Sequence, residues 1–180
     1  MSAPLSHTVN VRTLPRKGRD ESLVPDEEAR GRIAAALDLV ALERAEFEAH
    51  VAPWRSGGVE VEGRVRAELV QSCVVSNEPV PATIDEPFTT ILVPEGSPLA
   101  QPDWAAGGEM VLTDASDDPP ETFSGDAIDL GAIWFEYLSL AIDPFPRAPD
   151  AELPPQAGEK EPSPFAALAG LKLDDPANDR

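Results

Sequence analysis

VEVEGRVRAELVQSCVV, residues 59–75, alternates apolar and polar side chains over most of its length. Val59, Val61, Val65, Ala67, Leu69, Cys73 and Val75 share one parity, and Glu60, Glu62, Arg64, Arg66, Glu68 and Ser72 share the other. Side chains alternate across a strand, so this pattern predicts a long strand with one apolar face and one wet face. Ser76, Asn77, Glu78 and Pro79 follow as a turn cluster. VPATIDEPFTTIL, residues 80–92, then resumes with Val80, Ala82, Ile84, Phe88 and Leu92 on one face. Two such arms around a short polar turn make an antiparallel hairpin. Just upstream, residues 45–51 alternate as well, with Phe47, Ala49 and Val51 inward and Glu46, Glu48 and His50 outward. Residues 54–58 form the turn between them, so the three strands predict an antiparallel meander. Gly63, in mid-strand, is expected to mark a kink or a bulge.

Working outward, residues 5–14 place His7, Val9 and Val11 on one parity, a short strand. Arg12, Arg16, Lys17 and Arg19 follow as a basic loop. Pro25-Asp26-Glu27-Glu28 starts a helix, because acids in the first turn suit the positive end of the helix dipole. Its stripe is Ala29, Ile33, Ala36 and Leu37. Residues 94–125 lose all periodicity and read as a long loop, tacked down at Leu99, Trp104 and residues 110–112. Ile128 ends a short strand, and Asp129 caps a helix through LGAIWFEYLSLAI. Leu130, Ile133, Trp134, Tyr137, Leu138, Ala141 and Ile142 form its stripe, which Phe135 and Leu140 widen. Pro144 stops it. Residues 147–163 make a Pro- and acid-rich linker to PFAALAGLK, residues 164–172, an apolar island too short to be a stable helix unless it docks. We read that island as packing back on the domain; the alternative is a ligand motif for another protein.

The fold class expected is α+β: a mainly antiparallel sheet, a meander, packed with one or two helices, with a long loop and a flexible acidic C-terminal region. Residues 1–147 form the domain and residues 148–180 the tail. Twenty prolines among 180 residues exceed what one compact domain absorbs, which assigns part of the chain to extended segments. The net charge is −19 and is unevenly placed. Residues 1–66 hold 10 basic and 11 acidic side chains, and residues 67–180 hold 4 and 22. The second part therefore repels polyanions and attracts basic partners. One cysteine makes no internal disulfide, no apolar run approaches a membrane span and the first residues lack an apolar leader core, so a cytoplasmic setting is expected.

Chemistry is sparse. Cys73 is the candidate nucleophile, and only His7 and His50 could serve as its base. Cys73 shares parity with Val61 and Leu69 while His50 projects from the other face, so the reading is a small buried hydrophobe. One Cys and two distant His fall short of a zinc site, and no phosphate-cradling glycine loop is present, so no metal, cofactor or small-molecule substrate is expected. Aromatics are not interleaved with basic residues, which argues against an RNA stacking platform. Arg64 and Arg66 are expected to pair across strands with Glu46 or Glu48 rather than with phosphate.

QSCVVSNEPV (residues 71–80), IDLGAIWFEYLSLAIDPFPR (residues 128–147) and PFAALAGLK together resemble the YceD family, the large ribosomal RNA subunit accumulation proteins, in its alphaproteobacterial form. The resemblance implies a non-catalytic, cytoplasmic factor in accumulation of the large-subunit ribosomal RNA. Carried over by position, it marks Cys73, Glu78 and Pro79 at the turn, and Asp129, Leu130, Gly131, Glu136, Asp143 and Pro144 on the helix. Relatives often have a second cysteine where this chain has Ser76, which removes any paired-thiol site here. Asn77 stands where the family's residue is apolar. Four modes of action remain: contacts to a large-subunit ribosomal protein or assembly intermediate, direct contact with ribosomal RNA through Arg12, Arg16, Lys17, Arg19, Arg64 and Arg66, thiol chemistry at Cys73, or a scaffold whose Pro-rich tail recruits other proteins.

Overall fold

The computed structural model describes residues 4–100 and 120–152. Trp104, residues 110–112 and residues 153–180, including PFAALAGLK, lie outside the described residues.

The meander is present: β3 (Ala41–Pro53), β4 (Val59–Ser72) and β5 (Pro79–Pro94) are consecutive antiparallel neighbours. β3 and β5 run longer than their alternation suggests, whereas β4 stops at Ser72 and leaves Cys73 and Val75 to the turn. Two more strands extend the sheet. β2 (Arg19–Leu23) pairs antiparallel with β3, and β6 (Glu121–Phe123) pairs parallel with the end of β5, so the order is β2-β3-β4-β5-β6. A separate two-stranded ladder joins β1 (Thr8–Asn10) to β7 (Ala127–Asp129). The α+β class therefore holds, with helices α1 (Glu27–Ala36) and α2 (Leu130–Ala141).

Both helices start where their caps are. Asp26 accepts from the Ala29 amide at 2.8 Å and begins α1; Asp129 accepts from the Gly131 amide at 2.9 Å and begins α2. α2 lays Leu130, Ile133, Trp134 and Leu138 on the apolar face of the sheet, against Phe47, Val61, Val65 and Leu69. Trp134 stacks on Phe47 with ring centroids 5.7 Å apart, and its indole N–H donates to the Glu48 carbonyl at 3.3 Å. Truncating such a side chain costs about 3–5 kcal/mol, which makes Trp134 the main anchor of helix to sheet.

Several expectations change. The loop read over 94–125 carries a 3-10 helix at Pro98–Ala100 and β6 at Glu121–Phe123. In α1 it is Ala34 that is buried, while Ala36 of the expected stripe is exposed. Residues 5–14 give a strand only over Thr8–Asn10, after which Val11–Thr13 turn as a 3-10 helix that the Asn10 side chain caps. Arg19 is not in a loop but opens β2, an edge strand held by backbone pairing to β3. Gly63 neither kinks nor bulges: the ladder is continuous through it, and the irregularity lies between Leu42 and Arg44. Glycine is needed there because the Phe88 ring lies over it, and a Cβ would stand 2.5 Å from Phe88 Cε1 and 2.7 Å from the Glu48 carbonyl oxygen. Leu140 does not widen the buried stripe; it is 72% exposed, while Phe135 is partly buried. Among the described residues, β6 covers only Leu92–Pro94 of β5. Pro81, Pro87, Asp85 and Glu86 discourage further pairing along that open edge.

Candidate functional site

The marked residues gather at the two ends of α2. At its N-terminus, the Asp129 carboxylate accepts from the Gly131 amide (2.9 Å), the His7 amide (2.7 Å) and the Ser6 hydroxyl (2.8 Å). The Leu130 amide donates to the His7 carbonyl at 2.9 Å, and the Leu130 side chain is fully buried. Gly131 lies so close to the N-terminal segment that a Cβ would sit 2.5 Å from Ser6 Cα. Asp129, Leu130 and Gly131 thus dock residues 5–10 onto the helix.

At the other end, β4 runs out into a turn that wraps Cys73. The Cys73 amide donates to the Glu78 carbonyl at 2.8 Å, and the Asn77 amide donates back to the Cys73 carbonyl at 2.9 Å. Asn77 takes φ 60°, a left-handed conformation that asparagine tolerates better than an apolar residue does, so this residue suits the turn. Glu78 accepts from the Ser76 hydroxyl at 3.1 Å, and Pro79 opens β5 opposite Ser72. Residues 143–148 run alongside. Gln71 donates to the Asp143 carbonyl at 2.7 Å, the Val74 amide to the Pro146 carbonyl at 2.9 Å, and the Asp143 carboxylate accepts from the Phe145 amide at 2.9 Å. Gln71 was missed from the pattern; its signal is a polar residue at a parity otherwise apolar, between Leu69 and Cys73.

Cys73 is buried, as its parity implies, but by this turn and not by the main core cluster. Its sulfur accepts from the amides of Val75 (3.4 Å), Ser76 (3.4 Å) and Ala148 (3.3 Å). Together with the Ser76 hydroxyl these donors hold the thiol down at about 6. The hydroxyl has one proton, and it faces Glu78 Oε2 at 3.1 Å, so the three amides are the constant donors. Neither histidine is engaged with the sulfur. His7 meets Glu21 at 2.9 Å and packs 5.5 Å from the Trp134 ring; His50 bonds Asp20 at 2.5 Å and the Lys17 carbonyl at 3.1 Å. The Asp20 contact raises the His50 pKa despite some desolvation.

The basic candidates do not converge. Arg12 pairs with Asp126 at 2.7 Å and Arg19 with Glu21. Arg64 pairs with Asp85 at 2.6 Å, while Arg66 pairs with Glu48 at 3.0 Å, Asp85 at 3.4 Å and Glu46 at 3.9 Å. Both pair across strands, but only Arg66 meets the expected Glu46 and Glu48 of β3; Arg64 turns instead to Asp85 of β5. Arg44 pairs with Glu68 at 3.3 Å. The groove of about 530 Å³ at this end of the sheet is lined by Arg30, Arg44 and Arg66 against Glu46, Glu68 and Asp85, a balanced set. Arg16 and Lys17 make no ion pair among the described residues; they tip a turn closed by Gly18 donating to the Pro15 carbonyl at 2.9 Å. Glu136 is exposed on the middle of α2, where its charge acts on Glu121. Among the described residues no cluster of three metal-ligating side chains occurs, and no helix is long and apolar enough to cross a membrane.

An antiparallel-sheet domain with an ion-paired wet face and a capped, docked helix defines a class of scaffold rather than a particular chemistry. The family comparison narrows it. The family model for YceD, large ribosomal RNA subunit accumulation protein, matches residues 61–172, and the chain belongs to that family. Membership ties it to accumulation of the large ribosomal subunit RNA. No curated protein and no solved structure matches the chain.

Proposed function

We propose that the protein supports large-subunit ribosomal RNA accumulation as a non-enzymatic factor that acts through protein contacts, on a ribosomal protein or an assembly intermediate. One observation carries this reading: four of its six candidate RNA-contacting side chains, Arg12, Arg19, Arg64 and Arg66, are already paired with carboxylates. Phosphate neutralisation by free Lys and Arg dominates RNA affinity, and a cation held by a carboxylate offers little of it. The net charge of −19 opposes a polyanion and favours encounter with a basic ribosomal protein. The engagement of both histidines away from Cys73 favours a non-enzymatic role over thiol chemistry.

The test is a pull-down of the full chain from cells at mild salt, with and without nuclease. The reading expects a basic ribosomal protein to stay bound after nuclease treatment and to leave as salt rises. Loss of every partner on nuclease treatment would overturn it. The direct RNA alternative reduces to Arg16 and Lys17, which limits the salt dependence of binding to a log–log slope of about −2 or shallower. Steep salt dependence with precursor ribosomal RNA, abolished by Arg16→Glu with Lys17→Glu, would establish that alternative instead.

A further inference from the structure

Three large apolar side chains are exposed at the Cys73 end of the molecule: Val74 (50%), Leu140 (72%) and Phe145 (72%). They flank the seam where residues 143–148 run beside β4 and its turn, fixed by the Val74–Pro146 and Gln71–Asp143 hydrogen bonds. Val74 and Phe145 stand on the two sides of this seam and Leu140 on the last turn of α2 that leads into it, and apolar side chains gathered at one end of a domain mark a contact surface. We propose that this seam is the docking site for the chain's own C-terminal island, PFAALAGLK.

Position is the first argument. The described chain passes along the seam, turns where the Ala151 amide donates to the Ala148 carbonyl at 3.1 Å, and ends at Glu152. Eleven residues then separate Glu152 from Pro164. Fully extended they reach about 36–40 Å, twice the roughly 18 Å length of α2, so return to the seam needs no rearrangement. Tethering is the second. A linker of this length gives an effective concentration on the order of millimolar, so an island too small to bind in trans can still dock in cis. Chemistry is the third. Phe165, Leu168 and Leu171 supply the apolar surface, and Lys172 follows them toward an end of the molecule that carries exposed Glu78, Asp143, Asp150 and Glu152. The family match, finally, runs from Val61 to Lys172, the last residue of the island, so β4 from Val61 onward, β5, α2 and the island fall within one family match.

The experiment uses the full chain with p-benzoylphenylalanine in place of Phe145, irradiated and mapped by mass spectrometry in a mixture of isotopically distinct copies. The expected crosslink joins position 145 to residues 164–172 of the same copy and does not change on dilution. Phe165→Asp with Leu168→Asp, both outside the described residues, should abolish most of it. The same double variant should shift the methyl resonances of Val74 and Leu140 and leave those of Ile33, deep in the core, unmoved. Crosslinks elsewhere, crosslinks only between copies, or unmoved Val74 and Leu140 methyls would each overturn the proposal.

Discussion

The two ends of α2 are tied to the fold by different chemistry. At the N-terminal end every tie is inward. The Asp129 carboxylate satisfies a helix amide, the His7 amide and the Ser6 hydroxyl, and Gly131 lets backbone approach backbone without a side chain between. At the C-terminal end the ties are hydrogen bonds between neighbouring turns, the sulfur of Cys73 serves as a common acceptor, and Val74, Leu140 and Phe145 face out. The first end is closed and its residues are explained by stability alone. The second is held together locally and leaves surface for something else to cover. Residues the family marks therefore need not share a role: Asp129, Leu130 and Gly131 build the domain, whereas Cys73, Glu78, Asp143 and Pro144 shape an outward-facing seam.

If that contrast is right, the largest effect comes from the closed end. Gly131→Val places branched carbon 2.5 Å from Ser6 Cα and 2.8 Å from the His7 amide, which forces the N-terminal segment off the helix, and should cost about 3 kcal/mol in denaturant unfolding. A Gly131→Val chain as stable as the parent would mean that residues 5–10 do not dock. Asp129→Ala removes the helix cap and both ties to the N-terminal segment, for an expected loss of about 2–3 kcal/mol. Faster amide exchange at His7 and Leu130, with the sheet amides unchanged, is the signature that separates this from general destabilisation.

The outward end should respond to pH instead. The folded-state pKa of Cys73 is depressed to about 6 by its donors, so its stabilising effect is present above the ordinary thiol pKa and is lost as pH falls through about 6. Unfolding measured across that window should show the parent gaining stability as pH rises, and Cys73→Ala losing both the gain and the acceptor for three amides. An unaltered pH profile in Cys73→Ala would assign the parent's slope to other groups. Because the sulfur is covered, alkylation of the folded chain should stay slow even at pH 8, in contrast to an exposed thiolate.

This contrast was only half legible in the sequence. Period-two alternation in β3, β4 and β5 and the period-3.6 stripe of α2 are direct imprints of burial, so the meander, the helix, the Asp129 cap and the cross-strand pairing of Arg64 and Arg66 all follow from residue order. β2 left no such imprint. RDESL sits at a sheet edge, where backbone pairing with Val51 to Phe47 holds it and charges keep other chains away, so nothing in its polarity announces a strand. β6 is three residues long and pairs with the end of a strand far back in the chain, Pro94 against Phe123. Nor does a stripe reveal its own edges: Leu140 has the right residue type, but it lies on the helix face turned away from Leu138 and faces water, while Ala141 and Ile142 beyond it still pack on the core. The Cys73 turn was hidden for another reason, since its donors are backbone amides, which residue identity does not specify.

The middle of α2 provides the control between the two ends and the smallest expected effect. Glu121 on β6 is pushed above its ordinary value, first by burial and then by the Glu136 charge, with a hydrogen bond from Thr90 opposing. A carboxyl whose pKa is raised on folding adds stability only where it is protonated, below its unfolded value, and that contribution is lost as pH rises through the folded value. At neutral pH the ionised Glu121 is thus a mild liability, and Glu121→Gln should raise the melting temperature slightly at pH 7 while changing nothing near pH 4. Because Glu121 is exposed, solvent screens the repulsion and the gain is small. The same substitution should leave the pH response at Cys73 intact, since Glu121 has no hydrogen bond to that turn. If instead it altered that response, the middle of the helix would be transmitting between the ends, and the division into a closed end and an open one would fail.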